Sequence, residues 1–297
     1  MDHKAFRLSL STAQKIALVE LNDSTGLRHL AGHWSAIGLF TVLIIWAVPF
    51  WPVIMVVQGI SVVFLFTLLH ETCHKTPFKS GWINDVVGHV CGFILFLPAT
   101  WFRFFHLAHH RYTQIPDKDP ELAEAKPETW VEYVRYISGI PVWISHMKTL
   151  IRNASGRHDG AFVPQKRRDD ITTEARRYLI GYAILLGLSL WMNTLVLVYI
   201  WLLPMLLGQP FLRLYLLAEH GRCPFVANMF ENTRTTFTNR FVRTIAWNMP
   251  YHTEHHSYPT VPFHKLPELH KLIKPHLLVT ANGYASFSAE YARDFDK

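Results

Sequence analysis

The chain has almost no charge where it is most hydrophobic. No Asp, Glu, Lys or Arg occurs between Ala36 and Leu69, and none between Tyr178 and Leu212. A water-soluble chain would have to bury such runs whole, whereas a bilayer accepts them, so they read as membrane segments. Cysteine is scarce as well. Cys73, Cys91 and Cys223 are odd in number and form no CxxC pair. That excludes a disulfide framework and points to free thiols on the reducing side. The opening "MDHKAFRLSLSTAQ" has no apolar stretch beside its charges and does not read as a secretory signal. No low-complexity tract is present, and no repeat other than short histidine clusters.

Half of the 297 residues are hydrophobic, and the net charge is +7. The basic residues flank the apolar runs. Contact with anionic lipid headgroups therefore explains the charge better than nucleic-acid binding does. A hydrocarbon core about 30 Å thick takes roughly 20 helical residues. Each uncharged run is too long for one crossing and suits two short or tilted ones. "VPFWP", with Pro49 and Pro52, breaks the first run. "WMNT", from Trp191 to Thr194, is a polar dip in the second, with a tryptophan suited to an interface.

The resulting expectation is an all-α integral membrane helical bundle. Four transmembrane helices pair as two hairpins, near residues 34–49, 52–70, 176–192 and 194–218. "VVGHVCGFILFLPATWF" (Val86 to Phe102) falls in a re-entrant or interfacial stretch, 86–105, broken at Pro98. Trp130 to Ile151 mixes aromatics with Arg135 and Lys148 and reads as an amphipathic helix on the membrane surface. Residues 152–175 are polar and loop-like. The segment Lys75 to Arg177 is rich in basic residues, and the proposed hairpin tips have none. The positive-inside rule puts that segment and both termini in the cytoplasm. Residues 70–177 and 219–297 then form a cytoplasmic helical cap within a single domain spanning 1–297.

Against this apolar background the histidines are grouped. "HETCH" (residues 70–74), "HLAHH" (106–110) and "HTEHH" (252–256) contain eight of the 18 histidines. Residues three and four apart share a helix face. His70 pairs with His74, His106 with His109 and His110, and His252 with His255 and His256. Neutral imidazole is the commonest protein metal ligand, and nitrogen-rich sites suit iron, zinc, copper or nickel. His220, after the last apolar run, is a ninth candidate. Nine ligands exceed one ion and suit two, with positions left open for oxygen or water. Glu71, Glu254 and the nearby Asp117, Asp119 and Glu121 are candidates to hold the imidazoles' other nitrogens. Asn248, four residues before His252, could face the same volume and hold a metal-bound water. His89 reads as a buried, hydrogen-bonded histidine. His264, His270 and His276 read as surface groups or supports, and His3, His29, His33, His146 and His158 show no usable pattern.

The three boxes, with "HLAHHRYTQIPDKDPEL" and "NMPYHTEHHSYPTVPFHKLPELH", resemble the membrane fatty-acid desaturase and hydroxylase superfamily, its bacterial members in particular. The matching spans run from about residue 60 to 275. The resemblance implies a non-haem centre of two irons on the cytoplasmic face, O2 activation and C–H cleavage on a lipid or fatty-acyl chain. It implies that His220 is the family's additional histidine. Leu216, four residues before it, stands where some members have asparagine. It also implies an integral protein of a bacterial inner membrane. The chain has no cytochrome b5 "HPGG" segment, so two electrons must come from a separate ferredoxin, rubredoxin or cytochrome b5-type carrier. Lys166, Arg167 and Arg168 suit either lipid headgroups or an acidic carrier. A hydroxylase, ketolase or alkene-forming decarboxylase would use the same boxes. A metal transporter is a more distant alternative, but it would carry ionisable residues inside its helices. A haem electron carrier using paired histidines would show a Soret band. Chain length, headgroup and position of attack are not encoded in the boxes.

Overall fold

Polar caps begin the first helices. Asp2 accepts a hydrogen bond from the Ala5 N–H at 2.7 Å and starts α1 (His3–Ser9). Ser11 and Gln14 form a reciprocal capping box ahead of α2 (Thr12–Leu18). Asn22 accepts from the Thr25 N–H and starts α3 (Asp23–Ile45). The computed structural model describes residues 1–158 and 160–296.

The chain turns at "WAVPF", where Ala47 and Phe50 take positive φ. It then enters α4 (Trp51–Val63) and α5 (Leu65–His74). Together these make Trp51–His74, a stretch long and apolar enough to cross a membrane. Next come α6 (Gly81–Ile94) and α7 (Ala99–Tyr112). They pass the same test only as a pair, bent by 101°. The bend lies at "LFLP", where Phe96 has positive φ and Pro98 caps α7, as expected of a segment broken at that proline.

Two expectations need correcting. The single surface helix over 130–151 is two helices, α8 (Trp130–Ile137) and α9 (Ile140–Ala154). Gly139 stands between them at φ 70°, and Pro141 opens the second, so one continuous hydrogen-bond ladder is impossible. The loop expected over 152–175 is shorter, because α10 (Arg168–Trp191) already begins at Arg168. Asp169 and Asp170 sit in its first turn, where negative charge favours the helix dipole.

A turn at Asn193 (φ 48°) replaces the polar dip, and a π-helical segment, Val198–Leu202, leads into α11 (Leu203–His220). Pro204, lacking an N–H, accounts for that local widening. Val198–His220 is the second stretch able to cross a membrane. Beyond it lie α12 (Met229–Asn232), α13 (Arg240–Ile245), α14 (His252–Ser257), α15 (Leu266–Ile273) and α16 (Tyr284–Ala292). Two short parallel strands, β1 (Thr235–Thr236) and β2 (Thr280–Ala281), pair Thr235 with Thr280.

Two contacts position the later site. The indole of Trp247, fully buried, donates to His33 on α3 at 3.2 Å, and His33 in turn bonds the Ser61 carbonyl on α4 at 2.8 Å. The segment before α14 is thereby tied to the apolar helices. α4 and α11 also touch backbone to backbone. A Cβ added at Gly59 would lie 1.9 Å from the Pro204 oxygen, and one at Gly208 would lie 2.3 Å from the Gly59 carbonyl. Only glycine permits so close an approach. Outward, α3, α4, α10 and α11 all expose large apolar side chains, among them Ile45, Val53, Ile184, Leu190, Trp191 and Leu206.

Gly208→Val is expected to lower stability by about 3 kcal/mol, because the obstructing atoms are backbone. Gly38→Val, where an added Cβ meets nothing within 4 Å, serves as the control. Thermal unfolding in detergent reads the difference.

Candidate metal centre

The three boxes arrive on three elements. His70 and His74 lie on α5, His106, His109 and His110 on α7, and His252, His255 and His256 on α14. His220 is the last residue of α11. These elements converge, and the imidazoles meet in edge, tilted and stacked contacts. His70, His74, His106, His110 and His255 form one group whose ligand atoms lie within 4.8 Å of one another. His109, His220 and His256 form a second. His252 joins the second group, its Nε2 standing 3.1 Å from His220 Nε2. All nine sequence-derived candidates are therefore brought together, in two groups rather than one.

The donor set fits metal ions. Both ring nitrogens of His70, His110 and His255 are buried without a hydrogen-bond partner among the described residues. Buried polar atoms left unsatisfied are costly, and a cation removes that cost. The pairs His74–His106 and His109–His220 bring Nε2 atoms to 2.8 and 3.2 Å. Two nitrogens each about 2.1 Å from one ion, at right angles, stand about 3 Å apart. Burial pushes the imidazoles of His252, His255 and His256 well below the ordinary range, and neighbouring histidines push them further. They are therefore neutral at physiological pH, with lone pairs free to bind a cation.

On His109, His220 and His256 the outer ring nitrogen is hydrogen-bonded. His109 Nδ1 bonds the Asp119 carboxylate at 2.9 Å. His220 Nδ1 donates to the Asn232 carbonyl at 3.0 Å, and His256 Nδ1 meets the Thr113 hydroxyl at 3.1 Å. Carboxylate oxygens lie 3.3 Å from His252 Nδ1 (Glu219) and 3.6 Å from His255 Nδ1 (Glu71). Each contact leaves Nε2 pointing inward, which is the usual division of labour around a metal.

Of the expected supports, Asp119 and Glu71 stand beside box histidines. Glu254 lies one step further out, accepting from Thr235 at 2.6 Å and meeting His270 Nδ1 at 2.5 Å. Asn248 occupies a left-handed turn and donates to the Phe263 carbonyl at 3.0 Å. His89 pairs with Glu174 at 2.7 Å. Glu121 approaches His109 Nε2 at 3.4 Å while pairing with Lys126 at 2.6 Å. Sequence reasoning missed Glu219, Thr113 and Asn232. Thr113 lies four residues after His109 and Glu219 immediately before His220, so both carried a spacing signal. A backbone carbonyl, as at Asn232, carries none.

The sequence from residue 27 to 287 matches the fatty acid desaturase family. The chain belongs to that family. It is 23% identical to an sn-1 oleoyl-lipid 12-desaturase of Picosynechococcus sp., over 73% of this chain and 67% of the relative. It is 24% identical to a dihydrorhizobitoxine desaturase of Bradyrhizobium elkanii, over 99% of this chain and 87% of the relative. It is 23% identical to an sn-1 acyl-lipid omega-3 desaturase (ferredoxin) of Synechocystis sp., over 76% of this chain and 68% of the relative. The chain thus spans about two thirds of the length of these acyl-lipid desaturases. Membership of the family and the histidine groups together fit a metal site.

Asp119→Asn keeps the side-chain shape but weakens the hold on His109. It is expected to retain metal about 10–100-fold less tightly, read by competition with a chelator followed by metal analysis.

Proposed function

We propose that the chain is an oxygen-dependent desaturase that introduces a C=C bond into an alkyl chain, with two irons held by the nine histidines. The observation that carries this reading is a cavity of about 370 Å³ that opens onto both histidine groups. His70 and His106 of the first group and His109 and His252 of the second line it, with Phe66, Leu97, Trp101, Phe102 and Phe105. Such walls accept an alkyl chain and exclude bulk water from the reacting carbon.

When bound, two irons would supply the reduction of O2 and the withdrawal of hydrogen from unactivated carbon. Two adjacent C–H bonds give up two hydrogens and two electrons. With two further electrons and two protons from outside, O2 leaves as two waters. The chain's own task is placement. The aromatic wall fixes the alkyl chain against the histidine face, and fixing the chain selects which carbon is attacked. Asp119, Glu219, Glu71 and Thr113 keep the imidazole rings oriented while they do so.

In this reading α3 with Trp51–His74, and α10 with Val198–His220, form two membrane hairpins. Their shared exposed apolar surface supports four crossings. The histidines then face the cytoplasm of a bacterial inner membrane, where a soluble electron carrier can reach them. A ferredoxin-type donor is favoured, since a similar desaturase carries that donor in its name.

The test is aerobic turnover of the iron-loaded full chain with reduced ferredoxin and a fatty-acyl panel, with products read by mass spectrometry. An alkene is expected, with a loss of more than about 100-fold in His255→Ala. A hydroxylated product without alkene, or full activity in that variant, would contradict the proposal.

A further inference from the structure

The cavity is not apolar throughout. Arg213 lines it, on α11 seven residues before His220 and so about two turns away on nearly the same face. Arg213 lies inside the apolar stretch Val198–His220 and is only 8% exposed. Its Nε has no hydrogen-bond partner among the described residues. A buried guanidinium cannot shed its charge, so an unsatisfied one inside a membrane segment marks a binding function.

Glu121, Glu124, Lys126 and Glu219 also line the cavity. Glu121 is paired with Lys126 at 2.6 Å, and Glu219 stands 3.3 Å from His252 Nδ1. Around Arg213 the wall also carries Ser145, His146 and Thr149 from α9. His146 Nδ1 is bonded to the Leu95 carbonyl at 3.2 Å. Burial and the nearby Arg213 charge push its imidazole down to about 4, so it remains neutral. Arg213 thus faces the cavity with no ion pair or hydrogen bond of its own among the described residues, although Glu219 is near enough to feel its charge.

We propose that Arg213 anchors a carboxylate on the substrate, so that this site takes a free acid rather than an acyl chain whose carboxyl is esterified. The inference rests on the reading of the cavity as the substrate site. A planar guanidinium matches a carboxylate with two parallel hydrogen bonds. One guanidinium balances one negative charge, which favours a carboxylate over the more highly charged phosphate monoester. The rise of α11 places the anchor on the order of 10 Å along the helix from His220. The attacked carbon therefore lies a limited distance from the acid group.

The test is ligand-dependent thermal stabilisation of the purified full chain in a neutral detergent. The probes are octanoate, dodecanoate and oleate, each beside its methyl ester, together with dodecyl phosphate. At least one acid is expected to bind about tenfold or more tighter than its ester, with dodecyl phosphate weaker than the acid. Arg213→Gln should remove the preference, and Arg213→Lys should keep part of it. Esters binding as tightly as acids, phosphate binding tightest, or an unchanged preference in folded Arg213→Gln would each overturn the proposal. The wild-type comparison decides even where Arg213→Gln does not fold. No turnover enters the assay. Acid preference without alkene formation would remove the desaturase reading alone, and alkene formation without acid preference would remove the anchor alone.

Discussion

Nine imidazoles converge on one volume, and the protein's own groups do not satisfy all of them. Three of them, His70, His110 and His255, have no hydrogen-bond partner on either ring nitrogen among the described residues. Protonation offers no escape, because a charge there would be buried among other histidines. Convergent lone pairs of this kind fit metal cations. Much of the remaining architecture serves to hold that volume closed. α5, α7, α11 and α14 each bring histidines to it, and the Trp247–His33–Ser61 chain of hydrogen bonds pins the third box to the apolar helices. The Gly59–Gly208 contact sets α4 close against α11, whose last residue is His220.

The same volume explains why the supports face outward. Asp119, Thr113 and the Asn232 carbonyl bond the outward nitrogens of His109, His256 and His220, and Glu219 and Glu71 stand 3.3 and 3.6 Å from those of His252 and His255. They come from loops, helix ends and the middle of α5, so their only shared property is position. The cavity meets His70, His106, His109 and His252 with aromatic rings, and Glu219 and Glu121 share its wall.

Much of this was legible in the sequence, for physical reasons. Histidines at three- and four-residue spacing lie on one helix face whatever the fold, so the eight box histidines could be named, and His220 by its place after the last apolar run. Uncharged runs broken by "VPFWP" and "WMNT" located the turns at Ala47–Phe50 and Asn193. Other features depend on partners distant in the chain. The division into groups of five and four depends on how the helices cross. The break at Gly139 reflects its packing against Gln209, seventy positions away. The early start of α10 was hidden because "RRDD" reads as polar, although its acids are well placed for a helix N-terminus. Arg213 ends the second uncharged run, and only its burial beside the cavity distinguishes it from a flanking charge.

The central claim is that the three boxes and His220 build two neighbouring metal positions. Anomalous diffraction at the iron absorption edge, from crystals of the iron-loaded full chain, tests it most directly. Two peaks per chain are predicted, one among His70, His74, His106, His110 and His255, the other among His109, His220, His252 and His256. A single peak shared by all nine, or iron bound away from them, would contradict the account.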